Sequence, residues 1–182
     1  MTTQYKYNFK PQDTPGILSH HIFESYFHWY DIYRFIVYID DLVQTIPSSL
    51  ERFQQRILVG NENPEDVFLQ AFRKNLTDMY EFYDSIPANR ITMCAMDFIN
   101  GCLLEEKPTI RNMKPSNAAH SWPYYLRMKT GTAVAYAFML FPKKSHSDMS
   151  VYIQAIDDIC LFINLTNDIL SYVFSPPYLI NS

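Results

Sequence analysis

Apolar residues along this chain fall in long runs with few breakers, and the runs read as helices. The stretch "SHHIFESYFHWYDIYRFIVYIDDLVQT" is apolar and aromatic all round a helical wheel and has no Gly or Pro, which predicts a buried helix from about Ser19 to Gln44. A shorter element is predicted around Ser49 to Leu58. In "NENPEDVFLQAFRKNLTDMYEFYDSI" Asn63 is a cap candidate, Pro64 suits the first helical position, and Glu65 and Asp66 would sit in the first turn. That amphipathic pattern runs to about Ser85.

Pro87 permits a new start, and "ANRITMCAMDFINGCLLEE" predicts a mostly apolar helix ending near Glu106. Two prolines and polar residues make "KPTIRNMKPSN" a loop. Helical patterns resume at about Ser121 to Leu140 and at Ser147 to Val173, after which the paired prolines of "SPPYLINS" end the ladder. The expectation is one all-α domain over 1–182 with about six helices, and irregular tails at 1–18 and 176–182.

Composition supports this reading. Hydrophobic residues make up 48% and aromatics 16%, far too apolar for a disordered chain, while four glycines are few for an all-β fold rich in turns. A net charge of -4 and the lack of a basic stripe argue against nucleic acid and against a membrane surface. Cys94, Cys102 and Cys160 are odd in number and lack C-x-x-C spacing, so they read as reduced core residues. The N-terminus has no apolar leader segment, and a cytoplasmic location is expected. The Asn-Leu-Thr sequons at Asn75 and Asn164 then carry little meaning.

Three constellations could carry chemistry. Asp40 and Asp41 are adjacent carboxylates at the end of the first long helix, where they repel each other and oppose the helix dipole. A solvated helix end accommodates them, and so does a hard cation such as Mg²⁺ shared with phosphate oxygens. Asn167, Ser171 and Ser175 follow i, i+4, i+8 spacing, a stripe that offers oxygens on one helical face or simply makes a polar helix end. In "YYLRMKTGTAVAYAF", Gly131 weakens a helical pattern that also carries Arg127 and Thr130. Arg127 suits bidentate phosphate recognition, although a surface Arg and a packing Gly would look the same. His21, Glu24 and His28 could share a face, but without a fourth ligand they make a poor zinc site.

The order of the three constellations resembles the class I terpene synthase family, in its fungal trichodiene-synthase-like branch. The resemblance runs from about Tyr26 to Val173, with "YYLRMKTGTAVAYAFMLFPK" and "LTNDILSYV" its most specific phrases. It implies a class I isoprenoid synthase bundle around an apolar cavity, with three Mg²⁺ ions holding a prenyl diphosphate, expected to be farnesyl diphosphate. Carried over, Asp40 and Asp41 with Asn167 and Ser171 are metal ligands, and Arg127 is the diphosphate sensor. Thr130 is its linker, and Gly131 the helix-break residue whose carbonyl faces the developing cation. Tyr26, Tyr30 and Tyr33 lie about a turn apart below Asp40, as cation-stabilising faces or as core packing.

Gln44 and Ser175 depart from acidic residues of the family pattern. The resemblance also implies more helix before Asp40 than the residues ahead of it provide, and further helices after Ser171 that include an Arg-Tyr pair, so the sequence is expected to be the middle of such a domain. The expectation is therefore a partial bundle, impaired in cyclisation, with apolar faces that favour self-association; the rival expectation is a non-catalytic helical protein.

Overall fold

The computed structural model describes residues 30, 32–60 and 66–174. Among them the regular structure is helical throughout, in eight α-helices rather than the expected six. They are α1 (residues 32–42), α2 (Pro47–Val59), α3 (Val67–Phe82), α4 (Ser85–Glu106), α5 (Pro108–Arg111), α6 (Trp122–Thr130), α7 (Ala133–Met139) and α8 (Ile156–Phe174).

The helix buried nearly all round is α4, not α1. Ala88, Ile91, Cys94, Ala95, Phe98, Ile99, Cys102 and Leu103 leave it in several directions and all are buried. It packs against α2, α3, α6 and α7, which makes it the axis of the molecule. By contrast α1 buries one stripe, Ile32, Ile36, Ile39 and Val43, and exposes Tyr33, Val37 and Tyr38. Its run of apolar residues predicted burial on all sides; the packed face is the i, i+4, i+7 stripe with the half-buried Phe35 beside it.

Aromatic contacts close the first three helices. Phe35 of α1 lies 4.9 Å from Phe68 and 5.1 Å from Phe72, and Phe53 of α2 stacks on Phe72 at 5.7 Å. The cap of α3 is Asp66, whose Oδ1 accepts from the Phe68 and Leu69 amides at 2.8 and 3.1 Å. Asp66 thus takes the place expected for Asn63, which lies with Pro64 and Glu65 outside the described residues. At the end of α2, Gly60 adopts φ 76°, the left-handed value that glycine tolerates best.

Other boundaries shift for local reasons. Pro87 sits in the first turn of α4, where its missing amide costs no internal hydrogen bond, so the helix starts at Ser85. Within the expected loop, Pro108 opens the single turn of α5. Two 3₁₀ turns, Met149–Val151 and Ile153–Ala155, precede α8. The buried Tyr83 hydroxyl donates to the Met139 carbonyl at 3.0 Å, tying the α3–α4 turn to the end of α7.

Candidate diphosphate-binding site

The pattern predicted from Ser121 to Leu140 divides into α6 and α7 at Gly131 and Thr132. Gly131 keeps right-handed helical angles, with φ −80°. It is the buried Thr132 that turns left-handed, at φ 50°, a costly conformation for a β-branched residue. Its hydroxyl donates to the Gly131 carbonyl at 2.9 Å. The Gly131 carbonyl, expected to face a substrate cation, is here engaged by Thr132.

Why position 131 is glycine follows from its neighbours. A Cβ there would lie 2.6 Å from the Arg127 carbonyl and 2.8 Å from Asn164 Oδ1 of α8. The missing side chain lets α8 approach the break. On the other side α6 crosses α4 closely, since a Cβ on Gly101 would come within 2.8 Å of Thr130 Cγ2. An ion pair from Lys129 to Asp97 at 2.9 Å reinforces that crossing. Thr130 donates to the Leu126 carbonyl at 3.2 Å, within its own helix.

Arg127 reaches α8. Its Nη2 forms an ion pair with Asp168 Oδ1 at 2.8 Å and donates to the Asn164 carbonyl at 3.2 Å. The guanidinium is half-buried, and its Nε has no partner. With 3.6 residues per turn, Asn164, Asn167, Asp168 and Ser171 share about 100° of the α8 surface. Arg127 is therefore brought onto the helical face that carries two of the metal-ligand candidates. Asn164 and Asp168 were missed as its partners; their i, i+4 spacing was the available signal.

Asp40 and Asp41 are exposed at the end of α1, and neither forms an ion pair with a described residue. Asp40 lies beside the end of α4, with the Cys102 thiol 3.9 Å from its Oδ1. Nearby, Glu105 is held above the usual carboxylate range, first by burial, then by the negative charges of Asp40 and Glu106. Gln44 donates to Glu106 at 3.3 Å. Consecutive residues of α4 thus touch both halves of the site: Gly101 meets Thr130, and Cys102 meets Asp40.

Negative charge without a cationic partner and exposed oxygen donors suit a hard cation that also takes ligands from phosphate. Among the described residues no group of three or more His, Cys, Asp or Glu side chains could hold a metal by itself. Tyr30 and Tyr33 are 53% and 46% exposed, which removes them from the core. Tyr33 lies within electrostatic reach of Tyr136, and Arg34 packs over the Tyr30 ring at 5.8 Å. Tyr26, Ser175 and the His21, Glu24, His28 group lie outside the described residues. Burial pushes the Cys94 and Cys102 thiols up to about 11 and about 12, consistent with inert core residues. No helix among the described residues is long and apolar enough to cross a membrane.

Comparison with known proteins bears on the whole arrangement. The trichodiene synthase family model matches residues 27–175. The terpene synthase BipA of Cochliobolus sativus is 33% identical over 136 residues, covering 75% of this chain and 41% of that protein. Monoterpene synthase 25 of Postia placenta is 33% identical over 139 residues, with 75% and 41% covered. The (E)-beta farnesene synthase of Metarhizium brunneum is 32% identical over 137 residues, with 74% and 41% covered. The chain spans about two-fifths of the length of these relatives. With the family match over most of its length and its helical fold, this chain belongs to the trichodiene synthase family of terpene synthases.

Proposed function

We propose that the chain binds the diphosphate group of a prenyl substrate together with magnesium, and that the site serves ionisation and cyclisation of that substrate. Farnesyl diphosphate is the expected substrate. The names of the relatives span a monoterpene and a farnesene synthase, so a shorter prenyl diphosphate belongs in the same test. The observation that carries the reading is the placement of Arg127 against the α8 face that holds Asn167 and Ser171.

Each residue has a role in it. Arg127 offers a planar fork of donors to the phosphate oxygens, held in place by α8. Asp40 and Asp41 from α1, and Asn167 and Ser171 from α8, supply oxygens that would hold magnesium, three ions on the family pattern. When bound, magnesium withdraws charge onto the leaving diphosphate and eases scission of the carbon–oxygen bond. Thr130 and Gly131 lie between Arg127 and the break at Thr132, and the missing side chain of Gly131 lets α8 come up to Arg127. Tyr26, Tyr30 and Tyr33 are proposed as aromatic faces toward the allylic cation.

Incubation of the 182-residue chain with farnesyl diphosphate and Mg²⁺, followed by gas chromatography and mass spectrometry of the extract, tests turnover. Thermal melting with Mg²⁺ and inorganic pyrophosphate tests binding separately, since a ligand of the native state raises the midpoint. Product together with a raised midpoint supports the enzyme. A raised midpoint without product favours the non-catalytic alternative, and no shift with no product refutes the reading.

A further inference from the structure

The Arg127 guanidinium is already occupied. Its Nη2 is held by the Asp168 carboxylate at 2.8 Å and by the Asn164 carbonyl at 3.2 Å. Its remaining donors are used less fully: Nε is buried without a partner, and Nη1 lies 3.3 Å from the point where Gly131 lacks a Cβ. The two α8 acceptors differ in one respect. The Asn164 carbonyl belongs to the helix backbone and cannot swing away, whereas the Asp168 side chain is 56% exposed and can rotate into water.

We propose that Asp168 is the resident counter-ion of Arg127, holding the guanidinium in place until a diphosphate displaces the carboxylate. The proposal rests on reading Arg127 as the diphosphate-binding group, and goes beyond it by giving Asp168 a role. A carboxylate and a diphosphate cannot share one edge of a guanidinium without strong repulsion. A diphosphate carries more charge and several oxygens, so it engages the fork bidentately where Asp168 offers one oxygen. On displacement the Asn164 carbonyl keeps its hold, and Arg127 stays aimed at the α8 face. Asp168 is thus a positioning residue that Arg127 exchanges for its ligand.

Isothermal titration of inorganic pyrophosphate in magnesium buffer into the full 182-residue chain tests this, with wild type, Asp168→Asn, Asp168→Ser, Arg127→Gln and the Arg127→Gln, Asp168→Asn double variant. Removing the competing carboxylate is expected to tighten binding about two- to fivefold in both Asp168 variants. Arg127→Gln is expected to weaken it about tenfold or more, and Asp168→Asn to give no gain in that background. A merely structural Asp168 would not show this dependence on Arg127. Unchanged or weaker binding in both Asp168 variants, with the loss in Arg127→Gln intact, overturns the counter-ion proposal and leaves the Arg127 reading standing. Wild-type binding by Arg127→Gln, or no binding by any variant, overturns both.

Discussion

Gly131 shows how one residue can be singled out for one reason and needed for another. Its low helix propensity marks it in the sequence as a weak point, yet its own angles are helical and the left-handed residue is Thr132. What the position requires is an absent side chain, because a Cβ would meet the Arg127 carbonyl and Asn164 Oδ1. The first of these atoms is backbone inside α6 and cannot move without unwinding the turn. Gly131→Ala is therefore expected to destabilise the chain by about 1–3 kcal/mol, the usual cost of overpacking. Urea denaturation measures it, and a variant as stable as wild type would show that both the last turn of α6 and α8 give way freely.

At the scale of elements, each helix is decided by a balance between its own signals and its neighbours. Asp66 caps α3 through two amides, an interaction local to one turn. Asp66→Ala should cost about 1 kcal/mol, as cap removal does elsewhere. For a domain of this size that corresponds to a fall of about 2–4 °C in melting temperature. An unchanged melting temperature would mean that the packing of Leu69, Phe72, Leu76 and Met79 alone sets where α3 begins. The positions of α1 and α4 were not separable from composition, because both runs are rich in apolar residues. Only the arrangement makes α4 central and leaves one side of α1 exposed.

On the scale of the whole molecule, α8 presents two faces. Ile156 and Cys160 are buried at its start, the polar Asn164, Asn167, Asp168 and Ser171 continue the same face toward its end, and Leu161, Phe162, Leu165 and Ile169 are exposed on another. A continuous apolar stripe of this kind is a place for association. The occupant proposed is a second copy of the chain, and light scattering should show mass rising with concentration. Leu165→Lys with Ile169→Lys should suppress that rise while leaving the helical circular dichroism intact. A monomer at every concentration would count against it.

The sequence by itself determined the helical class, most element boundaries to within a few residues, and the three constellations with the family they resemble. Those properties are local: apolar periodicity, capping residues and proline act within a turn or two of the chain. It also carried Arg127 and Gly131 as residues of interest, though not their partners. Tertiary structure alone decided that α4 is the buried axis, that Thr132 bears the left-handed turn, and that Arg127 crosses to Asp168 and Asn164. Each of these depends on which helix faces come together across long separations, a matter of packing and desolvation that no local pattern encodes.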